Sequence, residues 1–80
     1  MTYQEKRALR LKVGAVLRAK RDARGETLAE VSRRVGVARQ NYARMERGVH
    51  AARLETIVRA ARTLGCRPID VLAEALEGIE

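Results

Sequence analysis

The sequence predicts an all-α protein, a compact bundle of five helices, and three observations carry that expectation. The composition is rich in Ala, Arg, Leu and Glu with a single proline, a mixture that favours helices. Apolar residues recur at spacings of three and four along each segment. Glycines at 25, 36, 48 and 65 stand where those periodic segments stop. Eighty residues are enough for one domain over 1–80, with a core of about 9–76, and too few for a second.

The first helix is expected from about Gln4 to Arg24. Leu9, Val13, Val16 and Leu17 fall on one face, Arg18, Lys20, Arg21 and Arg24 on the others, and Gly25 is the stop. The second opens at Thr27, which forms with Glu30 the pattern of a capping box. Leu28, Val31, Ser32 and Val35 are its inward face, and Gly36 ends it. The third, about 38–47, holds Val37, Tyr42 and Met45 inward and ends at Gly48. Two short helices joined by a tight glycine-containing turn make a helix-turn-helix pattern. Small Ser32 permits close crossing, and Gly36 permits a left-handed turn.

After the loop GVHAAR, a fourth helix from Leu54 to Leu64 is expected to bury Leu54, Ile57, Val58, Ala61 and Leu64. Pro68 suits the first turn of a fifth, where a missing N–H costs nothing. That helix carries Ile69, Val71, Leu72, Ala75 and Leu76 and is expected to fray near Gly78.

Seventeen basic residues against ten acidic ones give a net charge of +7, and most of the bases are Arg. Arg engages phosphate and base edges through two parallel hydrogen bonds, so the partner implied is a polyanion, a nucleic acid or an anionic membrane surface. The membrane is disfavoured, because the basic residues surround the first helix and Trp and Phe are absent. With one cysteine, Cys66, and one histidine, His50, neither a disulfide nor a metal centre is expected. No cofactor is implied. No apolar run nears the roughly 20 residues a membrane span needs. The N-terminal MTYQEKRALRLK has no leader-type apolar stretch, so the cytoplasm is the expected compartment.

Catalysis finds little support, and an enzyme is not expected. The single Ser32 is turned inward, His50 and Cys66 lie far apart, and no glycine-rich phosphate loop precedes a helix. Binding chemistry is concentrated in VARQNYARMERG. With Tyr42 and Met45 turned inward, Arg39, Gln40, Ala43, Arg44 and Arg47 must face outward or sideways. Arg can donate two hydrogen bonds to guanine, and Gln can both donate to and accept from adenine. Between Arg33 and Arg47 stand five Arg and one acidic residue, Glu46.

RAKRDARGETLAEVSRRVGVARQNYARMERG, followed by LETIVRAARTLG, resembles the Cro and lambda-repressor type of helix-turn-helix domain, the XRE family, over roughly Val13 to Leu76. The resemblance implies a lambda-repressor-like fold and a sequence-specific transcriptional regulator of double-stranded DNA, its third helix in the major groove. It places Arg39, Gln40 and Arg44 at base edges, and Asn41 at a base or phosphate. Arg33, Arg34, Arg47 and His50, at element ends near the turn and loop, are expected beside phosphates. It also implies a structural pair between Arg21 and Glu46, bracing the first helix against the third. Four positions depart from the family pattern: Leu28 where Gln is common, Ala38 in place of a Ser or Thr cap, Ala52 for a loop proline, and Arg53 for Ser.

One short recognition helix reads few base pairs, and family members bind as dimers to half-sites about 34 Å apart. A homodimer on a palindromic operator is therefore expected, built on the stripe Ile69, Leu72, Leu76 and Ile79 with help from the tail of the fourth helix. No small-molecule ligand is expected. An antitoxin or bridging-type protein-interaction module on the same fold is the alternative reading. The operator sequence, and whether the protein represses or activates, are not written in these residues.

Overall fold

The computed structural model describes residues 1–77 and 79, and its helices are α1 Tyr3–Ala23, α2 Leu28–Val35, α3 Arg39–Arg47, α4 Leu54–Thr63 and α5 Pro68–Leu76. Their starts follow from capping chemistry. At α2 the Glu30 N–H donates to the Thr27 hydroxyl (3.1 Å) and the Thr27 N–H donates to the Glu30 carboxylate (2.8 Å). The same exchange between Thr2 and Glu5 opens α1. In both boxes the hydrogen bonds from the threonine hold the glutamate below its ordinary pKa. Pro68 opens α5 as its first residue.

The α2–α3 turn is tight because Gly36 adopts φ 87°, a left-handed conformation costly for any residue with a Cβ. The N–H groups of Gly36 and Val37 both donate to the Ser32 carbonyl, at 2.9 and 3.1 Å. Ser32 is buried, and its hydroxyl bonds back to the Ala29 carbonyl.

Helix α1 packs on α3 and α5, α2 on α3 and α4, and α4 on α5. The α1–α3 crossing is close enough to exclude a side chain. A Cβ on Gly14 would stand 2.3 Å from the Glu46 carbonyl oxygen, and one on Gly48 would stand 2.7 Å from the Leu11 Cα. Leu17, Val31, Val35, Tyr42 and Val71 are fully buried, each aliphatic one stabilising the fold by about 1.5–3 kcal/mol. Val13, Met45, Leu64 and the alanines Ala60, Ala61 and Ala75 are also buried, the small size of the alanines letting α4 and α5 sit close.

Leu54, expected in the core, is not there, and two residues of the stripe expected at a dimer interface, Ile69 and Leu76, are also open to solvent. Leu54 is 60% exposed, Ile69 57% and Leu76 42%. Leu54 shares the helical face of Ile57 and Ala61 but lies one turn short of them, on the rim of a groove that solvent reaches. On α5 the burial is done by Val71 and Ala75, which turns Ile69 and Leu76 outward.

Candidate nucleic-acid interface

Helix α3 is anchored by Tyr42, Met45 and Glu46, all buried. At about 3.6 residues per turn, that face leaves Gln40, Arg44 and Arg47 on the opposite side, with Arg39 and Asn41 on its flanks. All five are exposed, and Ala43 between them is half-buried. Among the described residues Arg33, Arg39, Arg44 and Arg47 form no ion pair. Their charges are therefore uncancelled among the described residues, as a surface meeting a polyanion requires.

The acidic residue of this stretch is removed from that surface. The Arg21 Nε donates to Glu46 Oε2 at 2.8 Å and its Nη2 to Oε1 at 2.9 Å, while Nη1 donates to the Glu26 carbonyl at 2.9 Å. One guanidinium thus ties α1 to α3 and to the loop before α2. The hydrogen bonds to Glu46 raise the Arg21 pKa. The Tyr42 hydroxyl is shut off from solvent without a hydrogen-bond partner among the described residues. Burial pushes its pKa up, with the neighbouring Glu46 charge adding to it.

The residues expected at phosphates are divided. Arg33 and Arg47 are exposed and have no ion-pair partner among the described residues, while Arg34 is ion-paired with Glu26, which also binds Arg24. Glu26 is held below its usual pKa, first by the Arg24 hydrogen bond and then by both positive charges. Arg34 is thereby partly committed inside the chain. His50 is exposed in the α3–α4 loop and lines a shallow groove with Asn41, Arg44 and Arg53. Arg53 lines the same groove and was not among the residues that sequence reasoning singled out for DNA contact. It drew notice only for standing where a helix cap is usual, although a cation in a loop beside α3 was a usable signal.

The departures from the family pattern now have locations. Leu28 is half-buried against the core, so an apolar contact occupies that position. Neither Ala38 nor Arg53 caps its helix with a side-chain hydrogen bond. On α5, Leu72 is half-buried while Ile69 and Leu76 are exposed, so the stripe expected at a dimer interface is partly open to solvent. Half-buried Ile79 lies beyond the helix end, where Glu77 is extended, so the stripe does not continue on the helix to Ile79. Among the described residues no group of three His, Cys, Asp or Glu side chains could hold a metal ion, and no helix is long and apolar enough to cross a membrane.

Comparison with known proteins agrees with this architecture. A family profile described as helix-turn-helix matches residues 17–72. Two solved structures of the clp gene regulator ClgR from Corynebacterium glutamicum are similar, both at 32% identity. One has a TM-score of 0.83 with 89% of this chain and 76% of that chain covered, and the other 0.82 with 90% and 94%. No curated protein sequence matches. On the profile, the shared fold and the outward basic helix that follows the glycine turn, the chain belongs to the XRE-type helix-turn-helix family of DNA-binding transcriptional regulators.

Proposed function

We propose that the protein binds a palindromic operator as a homodimer, inserting α3 of each copy into the major groove, and regulates transcription by occupying that site. The observation that carries this reading is the division of α3: Tyr42, Met45 and Glu46 are buried, while Arg39, Gln40, Asn41 and Arg44 are exposed. A helix locked by its inner side holds outer donors at fixed orientation, which direct readout of base edges needs. In this reading Arg39, Gln40 and Arg44 reach bases, and Asn41 a base or phosphate. Arg33 and Arg47 neutralise phosphates, Arg34 does so from its pairing with Glu26, and His50 lies beside a phosphate.

Dimerisation is supported by the α5 residues Ile69 and Leu76, exposed beside half-buried Leu72 and Ile79. Water is excluded from such a stripe when two copies pair it across a two-fold axis, and that symmetry matches an inverted-repeat site. Gene regulation is supported by the likeness to ClgR, whose description names it a regulator of clp genes. DNA as the partner places the protein in the cytoplasm, and no chemical step is assigned to it. Selection from randomised duplexes with purified protein tests the reading. An enriched inverted repeat with half-sites about one helical turn apart is the expected result. Enrichment of no sequence, or of a lone half-site, would overturn it.

A further inference from the structure

Beside the DNA-facing surface lies a groove of about 340 Å³, lined by Leu9, Val13, Leu54, Ile57 and Leu72. Its size is at the lower end of the range of small-molecule sites, about 300–1,000 Å³. Two cations, Lys6 and Arg10, and His50 also line it, and among the described residues no carboxylate does. Arg10 forms no ion pair, and its Nε is sealed from solvent with no hydrogen-bond partner among the described residues. With its Nε sealed away and no carboxylate beside it among the described residues, Arg10 offers the groove an uncompensated positive charge.

We propose that this groove binds an apolar small molecule bearing a carboxylate, its hydrocarbon part against Leu54, Ile57 and Leu72 and its anionic end at Arg10. Charge complementarity selects the ligand's head, and the apolar walls select its tail. Met45, His50, Ala51 and Ala52 line both this groove and the neighbouring one that holds Asn41 and Arg44. A ligand seated on one side of that shared wall therefore changes the affinity of α3 for DNA. This consequence rests on the DNA-binding reading above, whereas ligand binding itself does not.

Titration of isotopically labelled protein with decanoate, followed by nuclear magnetic resonance in the absence of DNA, tests the site. Saturable shifts confined to residues lining the groove are expected, with decanol binding at least about tenfold more weakly. Arg10→Gln should weaken decanoate by about tenfold or more, as the loss of a charge-assisted hydrogen bond does. Leu54→Asp, a change at a residue 60% exposed, should abolish binding while leaving the dispersed spectrum intact. Equal binding of decanol and decanoate, an unaffected Arg10→Gln variant, or shifts scattered over the surface would overturn the site. So would shifts that follow protein concentration instead of decanoate, since the groove would then be a contact between copies. The second arm measures affinity for the selected duplex with and without saturating decanoate. A change of about fivefold or more, absent in Leu54→Asp, supports the coupling, and an unchanged affinity overturns it.

Discussion

Arg21 meets Glu46 through two parallel hydrogen bonds of 2.8 and 2.9 Å, and both side chains are withdrawn from water, 12% and 4% exposed. The pair joins the last turn of the molecule's longest helix to α3 and hides the acidic residue of α3. Removing one partner strands the other charge in a poorly solvated place. Arg21→Met is expected to cost about 3–5 kcal/mol in urea denaturation. The double variant Arg21→Met, Glu46→Leu should recover most of that loss. A single variant as stable as the parent would show that the pair contributes no constraint.

Two glycines separate steric from conformational cost. Gly14→Ala pushes a methyl into the Glu46 carbonyl at 2.3 Å, so α1 and α3 must part, with a loss of about 3 kcal/mol or more expected. Gly25→Ala meets no atom within 4 Å, but must hold φ 65°, at a cost of about 1 kcal/mol. Thermal unfolding of the two variants checks the order, and equal midpoints would refute it.

Base readers and phosphate neighbours are expected to respond differently. Arg39→Ala or Gln40→Ala should lose about 1–3 kcal/mol at one operator position and relax the preference there. Arg33→Ala should weaken all sequences alike and reduce the slope of log affinity against log salt by about one. Fluorescence anisotropy on operator and scrambled duplexes separates these outcomes. Selectivity untouched by Arg39→Ala would remove α3 from the groove.

On α5, neighbouring positions divide in a similar way. Ile69→Asp and Leu76→Asp alter exposed residues and should yield folded monomers in sedimentation, whereas Val71→Asp, at a fully buried position, should unfold the chain. A parent protein that sediments as a monomer with and without DNA would remove the dimer.

Acid should weaken the fold through carboxylates that hydrogen bonds hold below their usual pKa. Glu5 and Glu30 are lowered by their capping threonines, and Glu26 by Arg24 and Arg34. Because each folded pKa lies below the unfolded value, their contribution is present above the ordinary carboxyl value of 4.5 and is lost as pH falls through the lowered pKa. Denaturation midpoints measured from neutral pH down to about pH 3 should fall most steeply below pH 4.5, and Thr27→Ala should flatten that fall. A midpoint unchanged over this interval would exclude the capping boxes as a source of acid sensitivity.

Much of the architecture was legible in the order of residues. Thr27 with Glu30 marked the start of α2, Gly36 and Gly48 marked two stops, and Tyr42 and Met45 marked the inward side of α3, because capping and helical periodicity act over four or five residues. The exposure of Arg39, Gln40, Asn41 and Arg44 follows from that same short-range geometry. The pairing of Arg21 with Glu46 was available only through family resemblance, since 25 residues separate the two.

Other features became visible only when distant segments met. Nothing local distinguishes Gly14 from any glycine in a helix; its necessity comes from the α3 carbonyls lying against it. Arg34 reads as a free cation until the loop before α2 brings Glu26 to it, and Leu54 reads as core until the groove opens beside it. Local sequence determined where helices begin, end and turn their apolar sides, because those preferences are settled within a turn or two of chain. Tertiary structure alone decided which apolar residues stayed uncovered and which charges were cancelled, because burial and ion pairing depend on separations between elements that no short stretch encodes.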